Sequence, residues 1–288
     1  MATYTYDEST NREDLSDVVV NLSPTDTPIV SMIGKTKAKA TYHEFPEDEL
    51  APAGENAAIE GAEFELEESA GRQRKGNYTQ ILTKGYHISA SQMAVDTAGV
   101  PDEYAYAKYK AMKEIAKDLE YAVTKNGKAD PGSKVKARKM AGLPGIIETN
   151  KVTGAAVTSD LITSALQKVW ESGGTAKKLV VSGNNKKAIS QMTTSNTKNV
   201  PAKDKTLVEA IDVFDTDFGR VEVVASRFLD DKTIFALDPT AIKLAWLRPF
   251  KATDLPSNSD GKAGSIVGEV TLEVRGEKGQ GIINITKG

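Results

Sequence analysis

The stretch Pro101–Asn126, PDEYAYAKYKAMKEIAKDLEYAVTKN, decides the fold. Ala105, Tyr109, Met112, Ala116, Leu119 and Val123 recur at alternating spacings of four and three, which puts them on one stripe of a helix. Lys108, Lys110, Glu114, Lys117 and Asp118 fall on the opposite face, and Gly127 supplies the stop. The spacing predicts a helix over 101–126, apolar on one side and solvated on the other, lying across a sheet.

On its C-terminal side the pattern is α/β. A helix over 160–172 puts Leu161, Ile162, Ala165, Leu166, Val169 and Trp170 on one face behind the N-cap Ser159. Strand 178–182 and a helix over 184–193 follow, then strands near 209–214, 219–225, 232–237 and 241–247. Aspartate- and proline-bearing turns separate these strands. The chain closes on 265–286, where Val270, Leu272 and Val274 alternate with Thr271, Glu273 and Arg275; with three Gly in 276–281, this reads as a hairpin.

On its N-terminal side the pattern is extended. Residues 37–91 read as a long two-stranded excursion, too poor in apolar residues to stand alone. Its charge is lopsided: between Glu44 and Glu68 there are ten acidic residues and no Lys or Arg, and Arg72, Arg74 and Lys75 follow. Ahead of it, Leu15, Val18, Val19 and Leu22 predict a short amphipathic helix over 11–22. Thr27-Pro28 opens a second helical turn, expected to end at Gly34. A basic segment follows the long helix, in which Lys128, Lys134, Lys136, Arg138 and Lys139 face only Asp130.

Composition narrows the chemistry. The 288 residues carry 37 Lys plus Arg and 40 Asp plus Glu, a net charge of −3, with two His and no Cys. Disulfides, thiolate nucleophiles and thiolate metal sites are excluded. The near-neutral balance argues against a DNA-coating protein. Met1–Tyr6 lacks a signal-peptide pattern, and no apolar run reaches the roughly 20 residues of a membrane span. No Walker A motif, nucleophile elbow or EF-hand spacing is present. His43 and His87 read as a structural pair, possible cross-strand neighbours at the base of the excursion. The expectation is no catalytic residue, no cofactor and no metal: not an enzyme.

The order of parts resembles the Hong Kong 97 fold of tailed-phage major capsid proteins. Residue strings carry the same resemblance: Asn11-Arg12-Glu13-Asp14-Leu15, Ser23-Pro24-Thr25-Asp26-Thr27-Pro28, Ile33-Gly34-Lys35, Lys37 through Glu44, Leu247-Arg248-Pro249-Phe250 and Gly268 through Val274. The resemblance implies an α+β capsid fold: an N-terminal arm (1–36) gripping neighbours, an extended β-hairpin E-loop (37–91), and a peripheral domain (92–149 and 247–288) with spine helix 101–126. Residues 150–246 would be the axial α/β domain. It implies a structural subunit, made in the host cytoplasm, that self-assembles into pentamers and hexamers of an icosahedral virion head around double-stranded DNA. The DNA would be held on the inner face without sequence specificity, and no membrane is involved. With no long charged helix before residue 10, the resemblance implies a separate scaffolding protein or none, and as further partners more copies of the chain, the portal and decoration proteins. Charge then predicts that Glu60, Glu63, Glu65, Glu67 and Glu68, with Arg72, Arg74 and Lys75 beside them, form an inter-subunit contact with a neighbour's Lys128, Lys134, Lys136, Arg138 and Lys139. An encapsulin-like nanocompartment shell and a small-molecule α/β enzyme are the alternative readings.

Overall fold

A computed structural model describes residues 27–48, 50, 53–61, 71–95, 102–196, 213–256 and 260–286. The expected helix 11–22, and Glu49, Glu63, Glu65, Glu67 and Glu68, lie outside these residues.

The long helix is α3 (Glu103–Lys125), following α1 (Pro28–Met32) and α2 (Ala90–Ala94). Asp102 caps α3, its carboxylate accepting the Tyr104 and Ala105 amides at 2.9 and 3.0 Å. Met112, Ala116, Leu119 and Val123 are buried as the stripe predicts, with Ala111, Ile115 and Ala122 beside them. Ala105 and Tyr109, also in the stripe, are exposed, because α1 covers only the C-terminal half of the helix.

Helix α3 lies on a four-stranded sheet of order β1-β10-β11-β4. Its strands are β1 (Gly34–Lys37), β4 (Gln80–Ser89), β10 (Ile242–Leu255) and β11 (Gly261–Val274). Pro249, which cannot donate to a ladder, sits where the β10–β11 register shifts between Arg248 and Lys251. Ile29, Val30, Ile115, Leu119, Leu244, Phe250, Ile266 and Leu272 belong to one core cluster between sheet and helices.

A second sheet has the order β5-β12-β9-β6-β8-β7. It comprises β5 (Lys151–Gly154), β6 (Lys178–Val181), β7 (Val213–Thr216), β8 (Gly219–Ala225), β9 (Thr233–Leu237) and β12 (Gly281–Ile285). The short α4 (Leu143–Ile146) leads into it, and α5 (Ser159–Glu171) and α6 (Gly183–Asn196) follow in the chain. Ile162, Ala165, Leu166 and Val169 of α5 enter a core with Leu179, Ile189, Val223 and Ile283.

Several expectations are corrected. The closing hairpin does not form: β10 and β4 already occupy both edges of β11, so β12 crosses to the second sheet and pairs with β5 and β9. The long hairpin lies one element earlier, between β10 and β11. The return limb of the excursion is two strands. β3 (Gln73–Tyr78) pairs with β2 (Tyr42–Glu47), while β4 pairs with β11. Gly34 does not cap α1; it opens β1, a strand parallel to β10 that no periodicity announced. His43 lies opposite Asn77 and His87 opposite Ala263, so the two histidines are not cross-strand neighbours. Trp170 is 59% exposed against Phe218 rather than in the core, because it lies at the margin of the α5 stripe.

Candidate functional site

The features to explain are the two-stranded ribbon β2–β3 and the charged surfaces at its root. A lone ribbon of six residues per strand is marginal in water. Buried polar anchors hold this one to the four-stranded sheet. Asn77, 3% exposed, donates through Nδ2 to the carbonyls of Ala141 and Leu272 at 3.1 and 2.9 Å and accepts the Ala141 amide at 2.8 Å. Thr271 donates its hydroxyl to the Tyr78 carbonyl, and the Gly276 amide donates to Glu47, both at 2.8 Å. Tyr42 stacks on Tyr78 with ring centroids 4.6 Å apart, and Phe45 is buried.

Two carboxylates on β11 tie the root together. Glu269 is bound by Arg138, by Arg248 at 3.0 Å and by the Thr79 hydroxyl at 2.6 Å. Glu273 meets His43 Nε2 at 2.7 Å and the Arg275 guanidinium at 2.5 Å. Burial pushes the Glu273 carboxyl up, but the hydrogen bonds from His43 and Arg275 outweigh it and leave it below the ordinary carboxylate range. Just beyond, Glu277 accepts the Glu148 and Thr149 amides at 2.6 and 2.7 Å, which fixes the passage into the second sheet. Alternation had placed Glu273 on a solvated face. The ribbon root and the basic segment cover that face, and nothing local in the sequence signals a cover.

The basic segment is folded on itself. Asp130 and Lys139 form an isolated bridge, Gly132 takes φ +73°, and Val135 stands exposed at the tip. Asp130 accepts the Gly132 amide at 2.9 Å and pairs with Lys136, whose hydrogen bond holds its carboxyl below the usual range. Arg138 donates to the Thr79 carbonyl at 2.6 Å as well as to Glu269, so it is an internal strut. Lys128 lies 3.5 Å from Glu148. Lys134 and Lys139 are exposed and make no ion pair among the described residues.

On the ribbon, Lys75 pairs with Glu47 at 2.7 Å and Arg72 with Asp48 at 3.5 Å, while Arg74 makes no ion pair among the described residues. Glu60 is exposed towards the far end. The structure brings Arg74, Lys75 and Lys128 together: they line one open groove of about 450 Å³, floored by Phe45, Ile146 and Leu272. The acidic far end and the basic segment are not brought together within the described residues of one chain.

A further anchor, missed from the sequence, sits on α3. Glu120 is fully buried, and its carboxylate accepts the amides of Ile29 and Val30 at 3.0 and 2.8 Å. It caps α1 from 90 residues away in place of Thr27, whose side chain makes no cap. Burial pushes this carboxyl up to about 7, against the two amide hydrogen bonds. Its only sequence signal is an acidic residue inside the buried arc of an amphipathic helix. Among the described residues, no group of His, Asp and Glu could hold a metal, and no helix is long and apolar enough to cross a membrane.

Comparison with known proteins gives the arrangement its context. The model of the SU10 major capsid protein family matches residues 2–287. The major capsid protein of Escherichia phage Phieco32 is 36% identical over 116 residues, 40% of this chain and 33% of that protein. The match therefore spans a third of that relative's length. Among solved structures, the capsid of cyanophage A-1(L) superposes with a TM-score of 0.68 at 12% identity, covering 100% of this chain and 98% of that one. The virus-like particle of Pyrococcus furiosus gives 0.52 at 12% identity, covering 95% and 97%. At such identities these likenesses establish the fold, which is of the Hong Kong 97 capsid type.

Proposed function

This chain belongs to the SU10 major capsid protein family, and from that premise we propose that it is the structural subunit whose pentamers and hexamers close into an icosahedral phage head around double-stranded DNA. The match of the family model to nearly the whole chain carries this reading. In it, residues 1–36 are the arm and 37–91 the E-loop. The peripheral unit is built on α3 and the four-stranded sheet, and the axial unit on the six-stranded sheet. The sheet pairings favour moving β12 to the axial unit and the start of β10 to the peripheral one. A separate scaffolding protein, the portal and decoration proteins remain the expected partners, and the host cytoplasm the place of synthesis.

The acidic far end of the ribbon, Glu60 to Glu68, docks near the basic surface of a neighbour. Because Arg138 is spent on Glu269 inside the root, the exposed cations of that surface are Lys134, Lys139 and Arg74, which make no ion pair among the described residues, together with Lys128, Lys136 and Lys75, which each meet one carboxylate of their own chain. Exposed pairs contribute about 0–1 kcal/mol each, so they set register more than affinity. The test is electron microscopy of purified protein, with and without its scaffold, against the variant Glu63→Lys/Glu65→Lys/Glu67→Lys. Closed shells whose yield falls with salt, and which the variant fails to form, are expected. Shell formation indifferent to both refutes the docking. A subunit that stays monomeric with scaffold present refutes the assembly reading itself. The likeness to the Pyrococcus furiosus particle leaves a cargo-enclosing shell as a second reading, and nucleic acid inside purified particles decides against it.

A further inference from the structure

The sheet leaves one side of α3 open. Tyr106, Lys110, Lys113, Lys117 and Tyr121 follow at spacings of four, three, four and four, so they share one line along the helix, and Tyr109 lies beside it. The three tyrosines are 53%, 45% and 56% exposed at positions 106, 109 and 121. The line is about 22 Å long and takes up about a third of the helix circumference. Met112, Ile115 and Leu119, on the other side, are buried.

The charge of the line has one sign. Lys110 is exposed and makes no ion pair among the described residues. The Lys113 ammonium sits 4.7 Å from the Tyr109 ring centre, a contact that keeps it at the surface. Between Tyr104 and Leu119 the only acidic residues of α3 are Glu114 and Asp118, and Lys84 of β4 lies 3.4 Å from each. Residues 103–121 hold no Arg, Asn or Gln, whose forked ends pair with two atoms of one base. Lysine ammonium and tyrosine hydroxyl groups instead suit phosphate oxygens. Duplex DNA places a phosphate about every 3.4 Å of axis on each strand, so the line spans about six of them in any register. The other basic surface, the segment 128–139, spends much of its charge within the chain, on Asp130, Glu148 and Glu269.

We propose that this line on α3 is where the subunit meets duplex DNA, through the phosphate backbone and without regard to sequence. Resting on the head-subunit reading, it adds that the open side of α3 lines the interior. Lys110 and Lys113 each neutralise a phosphate and release its counterions, and the tyrosine hydroxyls donate to phosphate oxygens. A few such contacts per subunit hold weakly, so the duplex can slide as it enters, while their repetition over the shell retains it.

The test uses the unassembled full chain and a short fluorescent duplex of mixed sequence, with binding followed by anisotropy over a salt series. For Lys110→Gln/Lys113→Gln, the plot of log binding constant against log salt should be shallower by about 2 than for the natural chain, with binding about tenfold weaker or more at about 0.1 M salt. Lys134→Gln/Lys139→Gln removes the same charge from the other basic surface and should change neither. A duplex of different sequence should bind the natural chain equally. Four results overturn the proposal. They are no duplex binding by the natural chain at low salt, an unchanged slope in the α3 variant, an equal change in Lys134→Gln/Lys139→Gln, or loss of polyglutamate binding with duplex binding intact. The last would give the line to an acidic protein. Nucleic acid in assembled particles, scored separately, reports on the head-subunit reading and not on this contact.

Discussion

Glu120→Gln isolates the energetics of the α1 anchor. The Glu120 carboxyl is raised from 4.5 to about 7 by burial, so the folded subunit holds a proton there that the unfolded chain has already released. Between those two values the native state binds more protons than the unfolded state, and stability must fall as pH rises. The shift corresponds to about 3 kcal/mol, fully expressed above the folded value and absent below the unfolded one. Glutamine keeps the shape and one acceptor for the Ile29 and Val30 amides but cannot ionise. Denaturant unfolding of both proteins at a series of pH values gives the difference in stability, in which the other titrating groups cancel. Wild type minus Glu120→Gln should fall by about 3 kcal/mol from roughly pH 4.5 to 8, most steeply between 5 and 7. Parallel curves over that range would mean the carboxylate is as well solvated when folded as when unfolded. The account of α1 as held by a buried charge would then be wrong.

Arg138→Ala removes one of two guanidinium partners from the nearly buried Glu269 and leaves the Thr79 carbonyl without its donor. A loss of about 2–4 kcal/mol is expected in thermal or chemical unfolding, while Lys128→Ala at its exposed pair leaves the midpoint unmoved. Gly145→Ala places a methyl group against the Gly127 carbonyl. The neighbours there are backbone with no rotamer to swing away, so a loss above about 2 kcal/mol or insoluble protein is expected, whereas Gly183→Ala, with open space around it, is tolerated.

Legibility differed between elements for identifiable reasons. The long helix was readable because its stripe and its Gly127 end are local, while the Asp102 cap emerged only from the structure. So were β6, β8 and β9, whose apolar runs are bounded by Gly and Asp turns. β1 was not, since Gly34–Lys37 has no apolar periodicity and becomes a strand only because the edge of β10 is there to accept it. Glu273 read as part of the polar half of an alternating strand; only the ribbon root folding over that face made it, and Glu269 beside it, anchors.

By itself the amino-acid sequence determined the local elements, and the resemblance of its residue strings pointed to the class of protein. Helical and alternating patterns and the charge imbalance of the excursion are properties of neighbouring residues, and they survive any arrangement in space. Tertiary structure alone decided which strands share a sheet, that the closing hairpin is two strands in different sheets, and which cations remain available on the surface. Those outcomes depend on which edges and donors are already taken by segments 90 or more residues away, as when Glu120 caps α1 and Glu269 takes Arg138.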